Sequence, residues 1–220
     1  MLRRLAILAV ITAAFAAPAH AASPAVTGLE SHVFVTGGAE DTHGATLGAF
    51  GAGASTLFAT GTYASISATG SSGPAGNADV EVHLGLGVDL PGGVEAIPYL
   101  AAGYQSWNRR VTLPGALRAD ATYQAGLLGI GARVDVPLTT SLAAFGSGEL
   151  LALTSAQKGT SITPEEQLEV GLDQALPGPL HVFAQTYWTH FSNTGSSLNT
   201  YQPFNATTQE GVSLGLGYSF

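Results

Sequence analysis

Near the C-terminal end of the chain, Thr189-His190-Phe191-Ser192-Asn193 sets an imidazole two residues from a hydroxyl, with a carboxamide beside it. Glu210 follows ten residues before the last position. Serine, histidine and a carboxylate are the parts from which hydrolytic sites are built, provided the three side chains meet. The continuation Ser192-Asn193-Thr194-Gly195 is equally the composition of a strand passing into a loop. A second set is basic: Arg109, Arg110 and Arg118 stand within twelve residues of one another in an otherwise acidic chain. Guanidinium groups suit bidentate binding of phosphate. A third is the histidines His32, His83 and His181, which lack any HxH or HExxH spacing, so no metal site is expected from motif alone. No cofactor is expected either.

What these residues can do depends on the elements that carry them. The first residues, MLRRLAILAVITAAFAAPAHA, have a basic start at Arg3 and Arg4, an apolar run from Leu5 to Phe15 and a small-residue site at Ala19-His20-Ala21. That pattern predicts a signal peptide over 1–21, and a single domain over 22–220. Removing 21 of the 220 residues leaves 199. It also removes two of the seven Lys and Arg residues, leaving five against fifteen acidic ones, a net −10. Nucleic acid and a bare anionic surface are therefore poor partners. There is no cysteine, which excludes disulfides and thiol chemistry.

Composition is at odds with an ordinary soluble domain. The chain is 45% hydrophobic and only 10% charged, with 29 glycines, yet no later run of ~18 apolar residues could span a bilayer as a helix. A closed β-barrel is the other structure that satisfies its backbone in lipid. The alternation supports it. In Ala78–Leu90, Val80, Val82, Leu84, Leu86, Val88 and Leu90 oppose Asp79, Glu81, His83, Gly85, Gly87 and Asp89. The same period of two recurs at Leu168–Leu172, Leu128–Val136 and Val212–Phe220. The small and acidic side suits a narrow interior, and the uncharged apolar side suits lipid.

Tight connections at Leu90-Pro91-Gly92-Gly93, Pro137–Thr140 and Leu176-Pro177-Gly178-Pro179 alternate with long ones at about 108–120, 154–165 and 193–208. Counting back from Phe220, strands are expected near 209–220, 180–192, 166–176, 141–153, 121–136, 94–107, 78–90 and 55–69, with one more hairpin upstream. The expectation is an all-β, up-and-down antiparallel transmembrane barrel of ten strands, eight being the alternative of the same parity. Its short turns would be periplasmic and the three arginines would lie in a long external loop, in reach of lipopolysaccharide phosphates. Trp107, Tyr187 and Trp188 are expected as girdle residues near the outer strand ends. Inward parity falls on Asp79, Glu81, Asp89, Glu169 and Asp173, with Arg133 and the three histidines. Such a lumen is either a structural network with Arg133 and His83 or a cation-selective or cation-binding pore.

The terminal alternating strand, with Tyr218 two residues before Phe220, resembles the C-terminal signal of bacterial outer-membrane barrels. That resemblance implies engagement of the barrel-assembly machinery through Phe220. His190, Ser192, Asn193 and Glu210 resemble the His-x-Ser-Asn motif and last-strand glutamate of the lipid A 3-O-deacylase family, an eight-stranded family. By that resemblance Ser192 would be nucleophile, His190 general base, Glu210 its orienting group and Asn193 an oxyanion donor. Over more of the chain, Pro98-Tyr99, Gly103-Tyr104, Tyr187-Trp188 and Pro203-x-Asn205-x-Thr207-x-x-Glu210-Gly211 resemble a broad group of uncharacterised proteobacterial outer-membrane barrels. That resemblance implies location and fold, and no chemistry.

Overall fold

The computed structural model describes residues 31–42, 45–58, 60–72, 76–113, 117–155, 162–191 and 207–220, of which 42, 45, 108–113, 117–123, 155, 163 and 207 by backbone alone. The expected signal peptide lies outside the described residues. The strands are β1 (His32–Thr42), β2 (Ala45–Leu57), β3 (Thr62–Ser71), β4 (Asn77–Leu86), β5 (Val88–Leu90) and β6 (Val94–Leu113). They continue with β7 (Leu117–Pro137), β8 (Leu142–Ser155), β9 (Ile162–Ala175), β10 (Leu180–Phe191) and β11 (Thr207–Ser219). Every pairing between neighbouring strands is antiparallel. β4 and β5 both pair with β6 and are one strand interrupted at Gly87, so the wall has ten staves. The first strand closes on the last, from His32 opposite Ser219 to Thr42 opposite Gln209. Closure leaves no strand edge, which is what a hydrocarbon environment demands of backbone N–H and C=O groups.

The outward face is the apolar parity read from the sequence. Leu84, Leu100, Leu128, Ile130, Leu172, Leu214 and Leu216 are exposed on it, Leu214 by 70%. In a soluble sandwich these residues would form the core; here they form a belt around the wall. At one end of the barrel the tight turns follow the predicted chemistry. Gly92 and Gly178 both adopt φ of 84°, a left-handed backbone that glycine enters without strain. Leu176 N–H donates to the carbonyl of Leu180 at 2.8 Å, and Phe220 N–H to that of Ser31 at 2.9 Å, so both ends of the described chain meet at this turn end.

Three expectations need correction. The strand expected over 55–69 is broken: the chain turns at 58–61, where Gly61 has φ of 79° and Phe58 N–H donates to the carbonyl of Thr62. The Ser, Thr, Ala and Gly residues around the turn carry little alternation, and no proline marks it. The long loop expected over 108–120 is mostly a continuation of the β6–β7 ladder, which pairs as far as Leu113 opposite Leu117. Trp107 and Tyr187 are not lipid-facing girdle residues. Trp107 is buried and packs edge-on against Phe191, and the Tyr187 hydroxyl donates to Glu40 at 3.0 Å inside the barrel. Both sit on the inward parity of their strands, which an aromatic near a strand end does not reveal.

Glycine on the inward parity has a packing role. Phe183 lies flat over Gly215, its directly opposed partner, and Tyr99 does the same over Gly131, where an added Cβ would come within 2.5 Å of the ring. A narrow lumen holds aromatic rings only where the facing residue has no side chain.

Candidate functional site

Two groups of residues come into question, one on the outside of the wall and one inside it. On the outside, β10 carries His190 and β11 carries Glu210, near the end of the barrel opposite the tight turns. Strand pairing sets Trp188 directly across from Glu210 and Thr208 across from His190, so Glu210 and His190 are diagonal neighbours. Side chains two positions out of register stay within reach of one another when they are long. His190 stacks on Trp188 with ring centroids 5.6 Å apart and planes 8° from parallel, and its Nδ1 is 3.3 Å from the Thr208 hydroxyl. Ser192 and Asn193 lie outside the described residues. The backbone of Arg109, Arg110 and Arg118 is paired with Ala121, Asp120 and Thr112. Their side chains also lie outside the described residues.

Inside, the polar parity of β1, β3, β4, β8, β9 and β10 converges on a central cavity of about 240 Å³. Glu40, Asp79, Glu81, Glu149, Glu169 and Asp173 line it, and Arg133 is the one guanidinium among the lining residues. That guanidinium is already engaged: Nε and Nη2 donate to the two oxygens of Asp135 at 2.8 and 2.9 Å, and its Cζ lies over the Phe145 ring, 4.6 Å from the centroid. Amides intervene between most of the acids. Gln105 donates to Asp79 at 3.0 Å, Gln167 to Glu165 at 2.9 Å and to Glu81 at 3.2 Å, and Gln185 to Glu169 at 3.1 Å. His181 Nδ1 sits 2.9 Å from both oxygens of Asp173, and His32 Nδ1 is 3.1 Å from the Ser55 hydroxyl. His83 lies between Glu81 and Glu149, its Nε2 at 3.3 and 3.4 Å. Of the acids expected inside, Asp79, Glu81, Glu169 and Asp173 line the cavity, whereas Asp89 is exposed at the turn end.

Part of the inward face of β6, β7 and β8 is apolar instead. Ile97, Ala101, Trp107, Leu127, Leu151 and Leu153 form a continuous buried cluster capped by Phe191, and Ile97 and Phe191 are at most 1% exposed.

Among solved structures, the chain is similar to the beta domain of the Bordetella autotransporter Brka, at 11% identity and a TM-score of 0.53 over 87% of this chain and 99% of that one. The translocator domain of autotransporter NalP from Neisseria meningitidis gives 14% identity and 0.45 over 86% and 87%, and the KdgM porin 14% and 0.40 over 85% and 99%. The fold is that of a bacterial outer-membrane β-barrel. No protein-family model matches the chain, and neither does any curated protein.

Within this barrel, sequence reading missed Glu149, Glu165 and Glu40. Glu149 belongs to Phe145-Gly-Ser-Gly-Glu-Leu-Leu-Ala-Leu153, where Leu150 is exposed and Leu151 and Leu153 are buried. Both faces are apolar past Glu149, so the alternation that exposed the other acids is absent. The signal that survives is parity with Phe145 and Ser147 alone.

Proposed function

We propose that the chain is a small barrel of the bacterial outer membrane whose interior is filled by its own side chains, acting as a structural or surface-interaction element and not as a solute-sized pore. The observation that carries this reading is the lumen. Phe191, Ile97, Trp107 and Leu153 occupy one side of it, acids and amides the other, and the remaining cavity of about 240 Å³ is smaller than the ~300–1,000 Å³ of small-molecule sites. Ten staves enclose little more than their own side chains can fill. Reconstituted in planar bilayers, the barrel should give no steady ohmic conductance of porin size. A stable open channel would overturn the reading.

Its proposed partners are outer-membrane lipids and lipopolysaccharide, with Arg109, Arg110 and Arg118 meeting the phosphates, and the barrel-assembly machinery through Phe220. Replacing the three arginines with glutamine should lower the lipopolysaccharide that co-purifies, and deleting Phe220 should impair assembly. Nucleic acid is not among the partners of a chain this acidic.

One observation favours a second reading, ester hydrolysis on lipid A. His190 and Glu210 share the outward face on adjacent strands, at the end away from the tight turns. With Ser192 and Asn193 in the roles that the deacylase resemblance implies, the site would face the outer leaflet. Cells carrying the barrel should then show lipid A lacking an acyl chain in mass spectra, and Ser192→Ala should restore the full mass while assembling normally. Unchanged lipid A with the unmodified barrel would exclude this reading.

A further inference from the structure

Inside the lumen, we infer that Glu81, His83 and Glu149 form a binding site for a first-row divalent cation, with Zn²⁺ the best match. Three ligand atoms, one from each residue, lie within 4.8 Å of one another. His83 Nε2 stands 3.3 Å from Glu81 Oε2 and 3.4 Å from Glu149 Oε1. A charge-assisted N–H···O bond would be ~2.7–2.9 Å, and a single ring N–H shared between two carboxylates makes only a weaker, bifurcated contact. Both separations instead match the ~3.3–3.6 Å between ligand atoms in a tetrahedron whose metal bonds are ~2.0–2.2 Å long. One imidazole and two carboxylates leave the fourth position to water.

The groups around the three ligands hold them as metal ligands are held. Ser65 Oγ lies 3.0 Å from His83 Nδ1, which leaves Nε2 facing the carboxylates, and the Tyr99 ring stacks on His83 at 4.7 Å. The Tyr99 hydroxyl donates to Glu149 Oε1 at 2.8 Å, and Gln167 donates to Glu81 Oε1. An independent observation points to a missing partner: Glu149 is only 8% exposed, lines the cavity, and its Oε2 is buried with no hydrogen-bond partner among the described residues. A buried carboxylate oxygen left so is costly. With Arg133 committed to Asp135, the acids around the cavity outnumber its cations, and a divalent ion supplies the charge they need.

The test uses the full exported chain refolded in detergent, stripped with a chelator and titrated with ZnCl₂. Calorimetry and elemental analysis should give one Zn²⁺ per barrel, undiminished by millimolar Mg²⁺ or Ca²⁺. His83→Gln and Glu149→Gln should each weaken binding by at least ~10-fold, while His181→Gln should bind as the unmodified barrel does. Heat-dependent mobility on denaturing gels reports whether each variant is folded. Should a variant fail to fold, X-ray absorption of the unmodified barrel decides: one imidazole and two carboxylate oxygens at ~2.0–2.1 Å support the site. No bound Zn²⁺, equal binding by folded His83→Gln and Glu149→Gln, loss in His181→Gln, or a shell without imidazole or with several would each overturn it.

Discussion

The two groups of polar residues on this barrel are built from the same alternation but differ in what surrounds them. Glu81, His83 and Glu149 lie on the concave side, where side chains from β4 and β8 approach across the lumen and each is held by a further residue, Tyr99, Gln167 or Ser65. His190 and Glu210 lie on the convex side, on adjacent strands and out of register, with Trp188 opposite Glu210 and Thr208 opposite His190. Curvature makes the difference. Side chains that share a face converge inside a closed wall and diverge outside it, so inward parity assembles groups from distant strands, while outward parity joins only near neighbours.

That contrast can be broken most severely at Tyr99. The residue is 7% exposed, lies over Gly131, stacks on His83 and donates to Glu149. Tyr99→Ala should cost ~3–5 kcal/mol, as for other buried aromatics. The measurement is urea unfolding in lipid followed by tryptophan fluorescence, and a loss below ~1 kcal/mol would show that the lumen does not stabilise the wall. Next in size, Leu214→Arg places a cation at an apolar position, 70% exposed, midway along β11. A lipid-facing position predicts a cost of ~2–4 kcal/mol. No effect would mean that this surface meets water.

A smaller effect sharpens the inner half of the comparison. In a double-mutant cycle, Tyr99→Phe and Glu149→Leu should couple by ~0.5–3 kcal/mol, because each removes one partner of the same hydrogen bond of 2.8 Å. Strict additivity would dissolve the network into separate contacts. Least of all, His190→Ala removes an outward stack on Trp188 and should change stability by only ~0.5–1 kcal/mol. A cost as large as that of Tyr99→Ala would mean that the outer residues, too, are tied into the core of the wall.

The sequence by itself determined the class of object. Alternation in Val80–Leu90 and Val212–Phe220, proline and glycine at the tight turns, and the absence of a long apolar helix led to an antiparallel barrel of ten strands with its apolar face outward. Those properties are local, set by a period of two and by the backbone limits of proline and glycine. Register and closure are not local. The turn at 58–61, the length of the β6–β7 hairpin and the inward placement of Trp107 and Tyr187 depend on which residue pairs with which, and a shift of one residue reverses every face. The meeting of His83 with Glu149, 66 positions on, was decided only when the wall closed and its concave face brought β4 and β8 to one cavity.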